Sequence, residues 1–138
     1  MFKKSISYGG VIMKRMLVFL ILTFLALSGY AGANASEVDA VLSKAKKEGK
    51  IVMLELGSVG CVPCEQMKAV MEKLKTNYKG KLEVFFVDVQ KDRDTGRKFG
   101  VFAIPTQVFL DKNGKEFHRH MGFYAYEEIE PVLKKAGL

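Results

Sequence analysis

An α/β fold, with a mixed central sheet of about four to five strands flanked by helices, is predicted for residues 36–138 by three features of the sequence. Two short apolar runs, Ile51–Leu56 and Leu82–Val89, enclose a segment of helical periodicity; a strand–helix–strand unit of that length pairs its strands in parallel through a right-handed crossover. Two later strand-like runs are joined by Asp111-Lys112-Asn113-Gly114, whose Asn-Gly marks a hairpin, so that part of the sheet is antiparallel. Helical patterns open and close the segment.

Ser36, with Asp39 three residues on, has the form of a capping box with Asp in place of Glu. Val38, Val41, Leu42 and Ala45 then recur at helical spacing up to Gly49. Ile51–Leu56 is apolar except for Glu55 and is bounded by Gly57, the pattern of a central strand buried on both faces. From Pro63 the chain reads as helix, since proline is tolerated in a first turn, and Met67, Val70, Met71 and Leu74 form an apolar stripe running toward Tyr78 and Gly80. Met67 and Met71 are expected as core filler beneath that helix. Leu82–Val89 is rich in β-branched and aromatic residues and makes a second interior strand. A short helix is expected over Arg93–Phe99, closed by Gly100, then strands over Thr106–Leu110 and Lys115–Met121. His118 and His120 alternate to one face of the latter, an edge strand, and are expected as exposed polar residues. The last helix is expected over Tyr126–Lys135, where Pro131 fits only within the first turn or so. Phe123, Tyr124 and Tyr126 are expected to pack, with a peptide groove near Gly122 as the alternative.

Residues 1–35 are of another kind. Lys14 and Arg15 precede an apolar run from Met16 to Leu27, and Ala31-Gly32-Ala33-Asn34-Ala35 follows, the three regions of a secretory signal in order. Cleavage is expected after Ala35 or Ala33, leaving a single domain over 36–138, and Met13 would begin a more compact signal than Met1. An uncleaved membrane anchor is the alternative, because 16–36 carries no charge. The expected location is periplasmic or otherwise extracytoplasmic. All four basic residues of the segment (Lys3, Lys4, Lys14, Arg15) leave with it and no acidic one does, so the net charge falls from +7 to +3. With Glu and Asp interspersed among the lysines, no basic stripe for nucleic acid remains.

Both cysteines, Cys61 and Cys64, lie in the exported part, two residues apart, at the junction of a strand and a helix. The thiolate is the attacking species in disulfide exchange, so a redox pair needs one exposed sulfur and a stabilised anion. At a helix start, unpaired N–H groups and the positive end of the helix dipole supply that stabilisation to Cys61. Cys64, one turn further in, can then attack a mixed disulfide formed by Cys61. Other uses of the same atoms stay open. A zinc site would need two more ligands, for which the segment offers His118 and His120. Copper would suit the soft thiolates, and a purely structural disulfide is a third possibility, though so small a loop staples little.

The order strand, Cys61-Val62-Pro63-Cys64, helix, strand, Ile104-Pro105-Thr106, hairpin, Gly122, helix resembles the thioredoxin family over almost all of residues 36–138. The stretch FGVFAIPTQVFLDKNGKEF, residues 99–117, looks like the second half of that family. The resemblance implies a thiol-disulfide oxidoreductase with no cofactor beyond a redox-active Cys61–Cys64 disulfide. It makes Pro105 the family's cis proline beside the sulfurs, which leaves neighbouring backbone free to pair with a peptide and keeps metal off the cysteines. Substrate-contacting positions would be Gly60, Val62, Pro63, Ile104, Pro105 and Thr106.

Glu55 falls where the family usually has a buried Asp, six residues before the first cysteine, which implies a role as general base or acid for Cys64. On a strand covered on both faces its proton affinity should be raised; the alternative is a strand-end Glu reaching solvent. Three departures from the family pattern leave substrate choice open. Gly60 replaces a usual Trp, Ala69 a helix-kinking proline, and Phe86 a lysine near the buried acid. Val62-Pro63 resembles the dipeptide of some exported reductases associated with cytochrome maturation. The expected activity is therefore reduction of specific protein disulfides by a monomer recharged by a membrane-bound electron donor. A disulfide oxidant or isomerase, and a metal chaperone, are the alternatives.

Overall fold

The computed structural model describes residues 36–138; the proposed signal segment and its cleavage sites lie outside the described residues. Helix α1 (Glu37–Lys47) is capped by Ser36, whose Oγ accepts from Asp39 N–H at 3.2 Å. Strand β1 (Ile51–Gly57), helix α2 (Val62–Asn77) and strand β2 (Leu82–Asp88) form the crossover unit. Helix α3 (Arg93–Lys98), strands β3 (Thr106–Leu110) and β4 (Glu116–Met121), and helix α4 (Tyr126–Lys135) complete the domain. The sheet order is β2-β1-β3-β4, with β1 and β2 parallel and the β1–β3 and β3–β4 pairs antiparallel.

Strand alternation splits the core into two layers. Ile51 and Met53 of β1 pack with Met67, Met71 and Leu74 of α2 and with Ile129 and Leu133 of α4. On the opposite face Val52, Leu54 and Leu56 pack with Val38 and Ala45 of α1 and with Val87 and Val108. The layers hold β1 so thoroughly that all seven of its residues are buried, Glu55 among them.

The register also aligns the working end of the molecule. Leu56 pairs with Thr106 and Thr106 with Met121, so the end of β1, the start of β3 and the end of β4 share one edge of the sheet. Helix α2 starts from that same edge. Cys61-to-Cys64, Ile104–Pro105 and Gly122 are brought together by topology before any side-chain preference acts.

Two expectations need correction. His118 and His120 are not simply exposed: the rings of both stack on Tyr124, His120 at 3.9 Å between centroids and His118 at 5.9 Å, and His118 Nε2 lies 3.1 Å from the Tyr124 hydroxyl. An edge strand has one covered face, and these residues occupy it. The hairpin forms where Asn-Gly marks it, with Gly114 at a positive φ, +84°. Asp111 Oδ1 organises that loop by accepting from the N–H groups of Asn113 and Lys115. Pro131 sits inside α4, past its first turn. The carbonyl it leaves without an N–H partner is that of Glu127, an exposed residue whose backbone solvent can reach.

Candidate active site

The strand-to-helix loop is short and sharply folded. Ser58 is buried, its carbonyl receives the Cys61 N–H at 3.5 Å, and Gly60 turns the chain with φ +83°. A Cβ at Gly60 would meet nothing within 4 Å, so this glycine serves the backbone geometry and not a steric need. Cys61 then takes the N-cap position of α2 without capping it by its own side chain, and Pro63 falls in the first turn, where its missing N–H costs nothing. A sulfur at the start of a 16-residue helix feels its unpaired amides and dipole, the setting in which a thiolate is stabilised.

Cys61 and Cys64 are joined as a disulfide with their Cα atoms 5.2 Å apart. Their environments differ in the way stepwise exchange requires. Cys61 is partly exposed, whereas Cys64 is only 2 % exposed and lies against the sheet. What lets Cys64 descend so far is Gly57: a Cβ there would stand 3.0 Å from Cys64 Sγ and 3.2 Å from Phe86 Cε2. In the sequence Gly57 marks only the end of a strand. Gly57→Ala is expected to destabilise the oxidised protein by about 1–3 kcal/mol, because neither the bridged sulfur nor the packed ring can retreat freely. An unchanged urea midpoint would show that contact to be slack.

Glu55 lies two residues before Gly57 on the same face of β1, beneath the active helix. It is 0 % exposed, and neither carboxyl oxygen has a protein hydrogen-bond partner of ordinary geometry. Burial pushes its pKa from 4.5 up to about 7, with the neighbouring Gln107 amide pulling the other way. The solvent-reaching alternative is thereby overturned. Across the sheet Glu55 is flanked by Phe86 on β2 and Gln107 on β3. Gln107, also 0 % exposed, was missed at the sequence level, although a polar residue inside the apolar run Thr106–Leu110 is the same signal that singled out Glu55.

The Ile104–Pro105 peptide bond is cis, and Pro105 is buried while Ile104 is partly exposed. Thr106 Oγ1 donates to the Ala103 carbonyl at 2.7 Å, closing the turn, and Gly122 N–H donates to the Pro105 carbonyl at 2.8 Å. Large apolar side chains crowd these loops. Val59, Val62, Phe102, Met121 and Phe123 are all exposed, Phe102 to 96 %. They flank Cys61, the Ile104–Pro105 turn and Gly122. Among the described residues no three His, Cys, Asp or Glu side chains converge as a metal site. The histidines a zinc site would have required are turned to the Tyr124 hydroxyl and the Phe123 carbonyl.

Comparison with known proteins decides the family. A thioredoxin-like domain profile matches residues 38–137. The chain belongs to the thioredoxin-like family. It is 30% identical over 90 residues to a thioredoxin of Staphylococcus aureus, an alignment covering 65% of this chain and 86% of the relative. Among solved structures it is similar to poplar thioredoxin h, with a TM-score of 0.63 and 26% identity over 72% of this chain and 88% of the other. Fasciola hepatica thioredoxin shares the fold, with a TM-score of 0.65, 24% identity, and coverage of 74% and 93%. This thioredoxin-like protein carries the Cys-x-x-Cys disulfide at the start of its helix, and it is a thiol-disulfide oxidoreductase acting on protein disulfides.

Proposed function

We propose that the protein reduces specific protein disulfides outside the cytoplasm, as a monomer recharged by a membrane-bound electron donor. The signal-like residues 1–35 support the location, and the Val62-Pro63 dipeptide supports the direction of electron flow. The observation that carries the mechanism is the asymmetry of the pair: Cys61 partly exposed at the helix start, Cys64 buried above the face that holds Glu55. Cys61 thiolate attacks one sulfur of the substrate disulfide, and the other sulfur leaves as a thiolate that takes up a proton. The Cys64 thiol passes its proton to the Glu55 carboxylate and attacks the Cys61 sulfur. The bond from Cys61 to the substrate breaks, the second substrate thiolate leaves, and the Cys61–Cys64 disulfide forms. Two electrons move to the substrate, and the donor must return two.

Equilibration with glutathione tests the direction. A potential near that of thioredoxin, about −270 mV, is expected. A value near −120 mV would make the protein a disulfide oxidant instead.

A further inference from the structure

The polar pair at the centre of the sheet points to a residue that the mechanism above does not use. Glu55 and Gln107 face each other across the β1–β3 pair, both without exposure to solvent. Three of their polar side-chain atoms, Glu55 Oε1 and Oε2 and Gln107 Oε1, have no hydrogen-bond partner in the protein. Buried polar atoms left unpaired cost about 1–3 kcal/mol each, so residues placed opposite one another in this way are under pressure to pair. Gln107 is not free to turn elsewhere. Its Nε2 donates to the Gly122 carbonyl at 3.1 Å, and Gly122 N–H in turn holds the Pro105 carbonyl.

Other groups facing Glu55 offer it little. Phe86, its neighbour on β2, presents an aromatic ring. From α2 the facing groups are Cys64, bonded to Cys61, and the apolar Met67. Asp88, two residues along β2 from Phe86, accepts from the Gln90 N–H at 3.0 Å and lies 4.0 Å from Lys91 Nζ. His120, beyond Gln107 on β4, is stacked on Tyr124, whose own hydroxyl is directed to His118 and Glu128. An amide is suited to what remains, because it can donate to a carboxylate and accept from a carboxyl O–H without changing its own charge.

We propose that Gln107 is a positioning residue for proton transfer at Cys64: with one Nε2 hydrogen anchored on the Gly122 carbonyl, its second turns to the Glu55 carboxylate as that group ionises and stabilises the charge. The role rests on Glu55 serving Cys64 and ties the proton store to the loop that carries Pro105. Gln107→Leu removes the amide while keeping the volume.

The test is NMR of the oxidised protein, following the Glu55 carboxyl carbon and the Gln107 side-chain amide from pH 5 to 10. In the wild type the two signals should titrate with one shared midpoint, and the Gln107 response should vanish in Glu55→Gln. In Gln107→Leu the Glu55 midpoint should rise by about one unit, the scale of one hydrogen bond to a charged group. Resolution of a preformed mixed disulfide should then slow about fivefold at pH 7 and recover at higher pH. A Gln107 amide signal that stays flat through the Glu55 titration overturns the proposal, and so does an unmoved midpoint in Gln107→Leu. The wild-type amide titration decides the matter even should that variant fail to fold. These titrations need no turnover, so an inactive wild type with the shared midpoint would count against the redox reading and not against Gln107.

Discussion

Cys61→Ser is expected to lose disulfide reduction entirely, and Cys64→Ser to stop one step later with its substrate attached. The two outcomes differ because the two sulfurs occupy different places. Cys61 occupies the N-cap position of α2 and is partly exposed, so it alone can meet a sulfur on another protein. A serine there keeps the helix start and even adds a capping oxygen, but its hydroxyl stays protonated at neutral pH, and reduction of insulin should fall to background. Cys64 is buried against Gly57 and reaches only Cys61. Its removal leaves attack by Cys61 intact and prevents release. Mass spectrometry after incubation with a disulfide substrate should then show a covalent adduct at Cys61 that reductant removes. Equal adduct formation by both variants would contradict the assignment of roles.

Glu55→Gln is expected to make the oxidised protein more stable at alkaline pH while slowing its chemistry. Burial raises the Glu55 pKa from 4.5 to about 7, so the folded state binds the proton more tightly than the unfolded chain does. For a raised acid the sign of the linkage is that stability is greatest below pH 4.5 and declines as pH climbs to about 7, where the folded carboxyl must also ionise. The two values imply a loss of about 3 kcal/mol by pH 8. A glutamine has the shape of the protonated acid and cannot ionise. The variant's urea-derived stability should therefore stay flat between pH 5 and 8 while the wild type falls. The same change removes the proton acceptor for Cys64, so resolution of the mixed disulfide should slow by about 10²-fold or more. Parallel stability curves for the two proteins would show that Glu55 is not held near neutrality by burial.

The sequence made this architecture legible because its elements are marked redundantly. Ser36 and Asp39 announce α1, the Val, Ile and Phe runs mark the strands, and Pro63 opens α2 where helix chemistry tolerates it. Each marker agrees with its neighbours, and the parallel β1–β2 pair and the antiparallel β3–β4 pair follow from the crossover rule and the hairpin. Cys61 and Cys64 were visible for the same reason, since a pair at that spacing needs only local geometry. What escaped notice depends on pairing across strands. The closeness of Gly57 to Cys64 Sγ arises only when α2 folds back over β1, and Gln107 matters only once β3 is in register with Glu55. His118 and His120 were placed on one face, but that the face is covered by Tyr124 depends on the loop after β4. Pro131 lies deeper in α4 than the rule for helix proline allows because the carbonyl it leaves unpaired is one that solvent can reach.

The reaction stands on a thiolate at residue 61 held by the amino end of α2. Alkylation of the reduced protein by iodoacetamide, followed site by site against pH, measures this directly. Cys61 should react at its plateau rate well below pH 8.5, the ordinary midpoint of a free thiol, while Cys64 stays protected. A reactivity curve for Cys61 centred near pH 8.5, or equal labelling of both cysteines, would mean that the helix does nothing for the sulfur.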